Sequence, residues 1–306
     1  MLNTIYQSIM FLYIINIILK TNDLSCVIIH KGYQPYLKYN LEITSKNNNV
    51  FLIGDESIKF LEKLNSNISF IDINKYENIN KLNTYKDKFK NYSTNSFDFE
   101  WFCFARVFIL QEFLKDFNLN QVFYIDSDNV LLVDIRKLKF KKSSAYLIPN
   151  NQENFRMSAS IHSGLIDMKF CYEFEKMFNE IYISKEKHSL IMPKVDYHQK
   201  FNIPGGICDM TLYYLLYSEN YINPQNLLED TIFNDMTDFI FMLNLNTSEG
   251  LNSYDCYELK NNKIKIFNEI KINDISRNKM LNLCNIHFQG SAKKNLNKFT
   301  KFKLNY

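Results

Sequence analysis

The sequence predicts an α/β fold, with a mostly parallel central sheet flanked by helices in a single domain. Two observations carry this. Apolar runs of strand length at 24–30, 50–54 and 68–73 are separated by segments of helical spacing. Strand–helix alternation of that kind predicts a parallel sheet with right-handed crossovers. Further on, Val122-Phe123-Tyr124-Ile125 runs directly into Asp126-Ser127-Asp128. Open α/β sheets place ligands at the carboxyl ends of their strands, so two carboxylates one residue apart mark a candidate binding mouth.

The elements follow in order. Residues 24–30 read as a buried strand, Gly32 allows a turn, and 34–44 continue at helical spacing through Tyr36, Leu37, Tyr39, Leu41 and Ile43. Residues 50–54 and 68–73 are the second and third strands. Residues 74–95 are polar and Asn/Lys-rich, a surface excursion with some helix. Residues 99–117 are strongly apolar at helical spacing and lead to the Asp-x-Asp strand. Residues 144–149 and 163–168 read as strands, and 169–183 as an amphipathic helix. Residues 184–204 read as a long polar loop holding His188, Asp196 and His198, of the kind that walls or covers a binding site. A helix over 208–218 follows Gly205-Gly206. Strands at 239–245, 263–267 and 283–288 close the chain.

Residues 1–20 are expected to form an apolar N-terminal helix, and 21–306 the domain. The apolar run at 5–19 is short for a membrane span, which needs about 20 residues. It has no basic leader and no small-residue cleavage site, which argues against a secretory signal. A helix docked on the domain or lying at a membrane surface fits it better, with a signal anchor as the remaining alternative. A cytoplasmic location follows, membrane-associated in the second case.

Apolar residues make up 46% of the 306 and aromatics 15%, enough for a substantial core. The net charge of +3 is too small to argue for a nucleic-acid partner. The lysines are dispersed except in the tail, at Lys293, Lys294, Lys298, Lys301 and Lys303, which beyond Lys293 reads as a solvated end. Six cysteines without a Cys-x-x-Cys pair read as reduced core thiols. The bias toward Asn, Lys, Ile, Phe and Tyr suggests an AT-rich genome, so isolated Asn residues and sequons carry little meaning.

Chemistry concentrates at five places. The first strand ends at His30-Lys31-Gly32, a possible nucleotide-facing mouth. Arg106 lies on the apolar helix and, being costly to bury alone, needs either a carboxylate or a phosphate or sugar partner. Asp126 and Asp128, with Ser127 between them, offer the hard oxygens that a divalent cation and its diphosphate require. Asp209 follows Gly205-Gly206 near a helix N-terminus, where a first-turn charge is the commoner role. Two glycines there would let backbone approach a ligand closely. In Ile286-His287-Phe288-Gln289-Gly290-Ser291-Ala292-Lys293, a neutral His suits a third metal position, Gly290 permits a turn, and Lys293 can reach a phosphate.

Taken in this order, the features resemble the GT-A glycosyltransferases, especially the glycogenin- and galactosyltransferase-like group, over roughly residues 24–293. The resemblance implies a Rossmann-like GT-A fold and a hexosyltransferase of carbohydrate biosynthesis. It implies Mn²⁺ or Mg²⁺ held by Asp126, Asp128 and His287. It places a nucleotide-sugar donor, UDP-sugar by default, on His30, Gly32, Arg106, Ser127, Gly290 and Lys293. Asp209 becomes the carboxylate near the sugar, and a glycan, lipid or protein hydroxyl the acceptor. The chain departs from the family pattern at three points. His162 stands for the usual Asn beside Ser163-Gly164, Met210 replaces a Gln, and Lys294-Asn295 replaces a Pro-Trp. Two other readings compete. A haloacid-dehalogenase-type phosphatase would use Asp126 as nucleophile and Asp128 as general acid, but that motif usually opens its domain. A catalytically inactive GT-A domain would bind sugar or a partner without turnover.

Overall fold

A computed structural model of the chain describes residues 24–150, 152–153, 155–228, 231–233, 236–241, 243–244, 257–258, 271–274 and 278–298. The N-terminal segment 1–20 and the strand expected at 263–267 lie outside the described residues.

The described residues begin with three β-α units. β1 (Cys26–His30), α1 (Pro35–Thr44), β2 (Val50–Gly54) and β3 (Ile68–Asp72) follow the apolar runs, with a 3₁₀ segment at Glu56–Leu64 between the last two strands. Pro35 fits the first turn of α1, where its missing N–H costs nothing. The polar stretch after β3 holds two short helices, α2 (Asn74–Glu77) and α3 (Asn80–Lys88). Then comes α4 (Phe97–Asp116). Ser96 caps its first turn by accepting the Phe99 N–H, and its apolar residues are buried on nearly every side.

The strands β4 (Gln121–Ile125), β5 (Asn129–Leu131), β6 (Leu138–Lys139), β7 (Ala145–Leu147) and β8 (Ser160–Asp167) come next. They are followed by α5 (Met168–Phe178), α6 (Met192–Phe201) and α7 (Asp209–Ser218). The remaining strands are β9 (Gln225–Asn226), β10 (Thr231–Phe233), β11 (Met236–Ile240), β12 (Leu243–Asn244), β13 (Tyr257–Glu258), β14 (Lys271–Asp274), β15 (Lys279–Leu283) and β16 (Asn285–His287). A 3₁₀ segment at Gly290–Lys298 ends the described chain.

The central sheet has seven strands in the order β3-β2-β1-β4-β8-β7-β9. The first four are mutually parallel, β8 runs antiparallel to both β4 and β7, and β9 is parallel to β7. The α/β, Rossmann-like architecture expected from the sequence is therefore present. One apolar layer packs α4, α5 and α7 against one face of the sheet, rich in Phe and Tyr. A second lies on the other face, under α1. A three-stranded sheet, β12-β16-β5, stands at the mouth of β4, and a six-stranded one carries β6 at its edge.

The loop expected at 184–204 is a correction: α6 occupies half of it. Pro193 starts that helix and Asn202 ends it in a left-handed conformation. Only Val195 and Lys194 are buried, too little apolar repeat for the sequence to announce a helix. Lys194 is held by contacts instead, its Nζ donating to Arg156 O at 2.8 Å and Thr211 Oγ1 at 3.0 Å. Among the described residues no helix is long and apolar enough to cross a membrane.

Candidate active site

The turn after β4 is built by buried polar groups. Asn129 N–H donates to Asp126 O at 2.9 Å, closing it. From α1, Asn40 donates to Ser127 O at 2.8 Å and Asn129 O at 3.0 Å. Asn129 in turn donates to His162 O at 2.6 Å and Ser163 Oγ at 2.7 Å, tying the turn to β8. A buried, unpaired amide would cost about 1–3 kcal/mol, so this network fixes the turn's path.

The same turn recruits the far end of the chain. β5 pairs antiparallel with β16, setting His287 opposite Asn129. Asn285 donates to Asn129 Oδ1 at 2.7 Å, and Phe288 N–H to Asp128 O at 2.8 Å. Gly290, at φ +55°, then turns the chain back. His287 Nε2 comes to lie 3.4 Å from Asp128 Oδ1, and Lys293 Nζ 2.9 Å from Oδ2. Burial alone would push the Asp128 carboxyl up. The hydrogen bond and charge of His287, with Lys293, outweigh it and hold Asp128 well below the usual carboxylate range. Burial alone would lower the Lys293 amine, and the charge and hydrogen bond of Asp128 outweigh it and hold Lys293 above its ordinary value.

Arg106 answers the question its burial posed: its partners in the structure are carboxylates. Nη1 donates to Asp126 Oδ1 at 2.6 Å and Tyr124 Oη at 3.0 Å, and Nη2 to Asp209 Oδ2 at 2.8 Å. Tyr124 and Tyr213 hydroxyls add bonds of 2.8 and 3.0 Å to Asp126 and Asp209. One guanidinium thus ties the mouth of β4 to the first residue of α7.

His162 stacks on His287, ring centroids 4.4 Å apart and 20° between planes. Burial, and then the charge of His287, holds His162 well below the usual imidazole value, so it is neutral at physiological pH. His30 is likewise held down, chiefly by burial, and its buried Nε2 meets no hydrogen-bond partner among the described residues.

A cleft of about 970 Å³ opens over this floor. It is lined by His30, Arg106, Asp126, Ser127, Asp128 and Lys293, with Tyr36 and Phe102 among the aromatics on its walls. Asp209 and His287 stand behind that lining, one bonded to Arg106 and the other beside Asp128. Gly290 acts through the turn it makes. Gly32, at φ +75°, donates its N–H to Asp55 Oδ2 at 2.7 Å and does not line the cleft. Gly205 and Gly206 approach backbone, not the cleft. Gly206 bridges Ser93, Gly205 O accepts from Thr94 N–H at 3.0 Å, and a Cβ on Gly206 would run into Tyr92 O.

Sequence reasoning missed Asn40, Asn129 and Asn285, each fully buried here. In a chain so rich in Asn, only their place inside apolar stretches distinguished them. Tyr124 and Tyr213 were equally hidden among apolar neighbours.

A divalent cation was expected on Asp126, Asp128 and His287. Among the described residues no three His, Cys, Asp or Glu side chains are drawn together tightly enough to hold a metal ion. The donor types nevertheless suit a hard cation. Asp126 Oδ2 takes no hydrogen bond among the described residues, and the buried His287 Nδ1 has no partner there either.

Fold and site together define a Rossmann-like α/β protein with a charged cleft at the carboxyl ends of its parallel strands. No protein-family model matches the chain, and no curated protein does. Among solved structures it is similar to a putative glucose-1-phosphate thymidylyltransferase from Bacillus anthracis, crystallised in complex with a sucrose. That likeness has a TM-score of 0.27 and 12% identity, covering 56% of this chain and 84% of the other. A likeness that small adds nothing to the reading of the site.

Proposed function

We propose that the chain is a glycosyltransferase of the GT-A kind. It would move a sugar from a nucleoside-diphosphate sugar, UDP-sugar by default, to a hydroxyl of a glycan, lipid or protein. One observation carries the reading. His287 and Lys293, from the far end of the chain, meet on Asp128 at the mouth of β4, in the cleft that also holds Asp126 and Arg106.

Asp126, Asp128 and His287 would hold Mn²⁺ or Mg²⁺, which when bound neutralises charge on a departing diphosphate. Lys293 is a point charge that can pass from Asp128 to a phosphate oxygen as negative charge develops there. Arg106 is a positioning residue: by gripping Asp126 and Asp209 it sets the distance between the diphosphate side of the cleft and α7. Asp209 is the candidate carboxylate for orienting sugar or acceptor hydroxyls, and its bonds to Arg106 and Tyr213 fix its direction. His162, neutral and stacked on His287, keeps that imidazole's plane fixed. Ser127, His30 and Tyr36 form the nucleotide side of the cleft.

The test is thermal stabilisation of the wild type and Asp128→Asn by UDP, GDP, CDP and dTDP, each with and without Mn²⁺. A nucleotide at 100 times its dissociation constant adds about 2.7 kcal/mol. Stabilisation by one nucleotide, only with metal and only in the wild type, is expected. Stabilisation by none of them rejects the reading and directs assays to phosphate esters. Binding with no transfer or hydrolysis of any donor sugar leaves a binding domain.

A further inference from the structure

The cleft is longer than its charged floor. From α4 it is lined by Phe99, Phe102, Cys103 and Arg106, at the i, i+3, i+4, i+7 spacing of a single helix face. Arg106 ends this stripe, gripping Asp126 and Asp209. At about 1.5 Å per residue, Phe102 lies about 6 Å and Phe99 about 10 Å from it along the helix axis. Phe99 is 57% exposed and Phe102 half-buried, so this second lobe of the cleft is walled by open aromatic ring.

Around those rings the charges are matched. Lys31 Nζ lies 2.7 Å from Glu77 Oε2, and Lys86 Nζ 3.3 Å from Asp98 Oδ1, all four lining the cleft. Asn78 and Asn83, both exposed, add neutral amides to the same wall. A lobe so balanced has little pull on an ion. An alkyl chain is a poor occupant too, since it would cover the amides and ion pairs without replacing their water. A neutral sugar suits both parts, with a C–H-rich ring face for the phenylalanines and hydroxyls for the amides and carboxylates. The nucleoside has its own wall. Tyr36 belongs to α1, whose apolar layer lies on the opposite face of the sheet from that of α4.

Resting on the glycosyltransferase reading of the cleft, we infer that Phe99 and Phe102 form its acceptor subsite and that the acceptor is an uncharged glycan. Its terminal sugar lies toward Arg106 and Asp209, and the next ring stacks nearer Phe99. The distance along α4 gives room for roughly a disaccharide. An exposed phenylalanine alone is ordinary. Here it stands inside the cleft, two helical turns from the Arg106–Asp209 pair, with every charged neighbour in the lobe already matched.

Trp101, the one tryptophan of the chain, lines the same lobe and is 8% exposed, so its emission reports what enters. The full chain is titrated with lactose, maltose, cellobiose and N,N′-diacetylchitobiose, each to about 50 mM, well above a millimolar dissociation constant. Each titration is run alone and with UDP and Mn²⁺. A saturable change with at least one disaccharide is expected. Phe99→Ala, at an unchanged melting temperature, should weaken that binding roughly tenfold, and Phe99→Tyr should retain it. Thermal stabilisation by UDP and Mn²⁺ should be the same in all three proteins. No emission change with any disaccharide, in a protein that UDP and Mn²⁺ do stabilise, overturns the subsite and leaves the donor site standing. Loss of UDP stabilisation in Phe99→Ala assigns the rings to the nucleobase and overturns it as well. If no nucleotide stabilises the wild type, the donor reading fails, and the acceptor role fails with it whatever the sugars do.

Discussion

Asn285 donates a 2.7 Å hydrogen bond to Asn129, and neither side chain touches solvent. The bond joins the strand that carries His287 to the turn that carries Asp128. Replacing Asn285 by Ala leaves the Asn129 carbonyl oxygen without its donor, at a cost of about 1–3 kcal/mol. A fall in chemical-denaturation midpoint with unchanged slope is the expected result, together with weaker nucleotide stabilisation. Unchanged stability would mean that the pair does not organise the mouth.

Arg106 satisfies two carboxylates at once, so its removal and theirs must be non-additive. Arg106→Ala is expected to cost about 3–5 kcal/mol, because the half-buried Asp126 and the buried Asp209 are left charged without their cation. Adding Asp209→Asn to Arg106→Ala should cost less than Asp209→Asn costs alone. A double-mutant cycle in urea measures this, and simple additivity would contradict the shared-partner geometry.

Lys293 reaches the cleft from the far end of the chain and pairs with Asp128 at 2.9 Å. Lys293→Ala is expected to weaken nucleoside-diphosphate binding roughly 10- to 100-fold, the worth of one charge-assisted bond. The nucleoside without phosphates should lose nothing. Titration calorimetry with both ligands separates the two, and an equal loss for both would place Lys293 away from the diphosphate.

The buried His162 predicts a pH slope. Its folded value lies below its unfolded one, so below about pH 6.5 the unfolded chain binds a proton that the folded chain refuses. Stability contributed by this group is complete above that pH and falls as the pH drops, by at most about 1.4 kcal/mol per pH unit. His162→Asn should flatten the dependence of unfolding free energy between about pH 5 and 7. An unchanged slope would put the titration on another group, such as His30.

Gly206 adopts φ +130°, and a side chain there meets the Tyr92 carbonyl. Gly206→Ala is expected to cost at least about 1–3 kcal/mol from backbone strain alone, and to loosen the start of α7 with Asp209. A thermal melt shows the first effect. A melting temperature equal to wild type would remove this contact from the account.

Much of the central sheet was legible because its strands are apolar runs of the right length, bounded by Gly or polar residues. Asp126, Asp128 and Arg106 stood out because charge at a strand mouth or on an apolar helix demands a partner. The glycines before Asp209 were legible as a close approach but not as to what approaches, since a backbone and a ligand ask the same of a glycine. α6 was hidden for the opposite reason: its stability comes from Lys194 and the contacts that hold it, not from a repeat. The buried asparagines were masked by composition. A residue type that is common everywhere carries no local signal, even where its amide is the tie that matters.

The pairing of β5 with β16 also orders events in time. Its partners are separated by 156 residues at Asn129 and Asn285. Closing so long a loop is slow, and the contacts that repay it come only at the end. The first strands can find one another while the chain is still short. The cleft cannot be completed until residue 293 has emerged and folded back. A nascent or clipped chain ending before Asn285 would have every strand of the central sheet and lack His287 and Lys293.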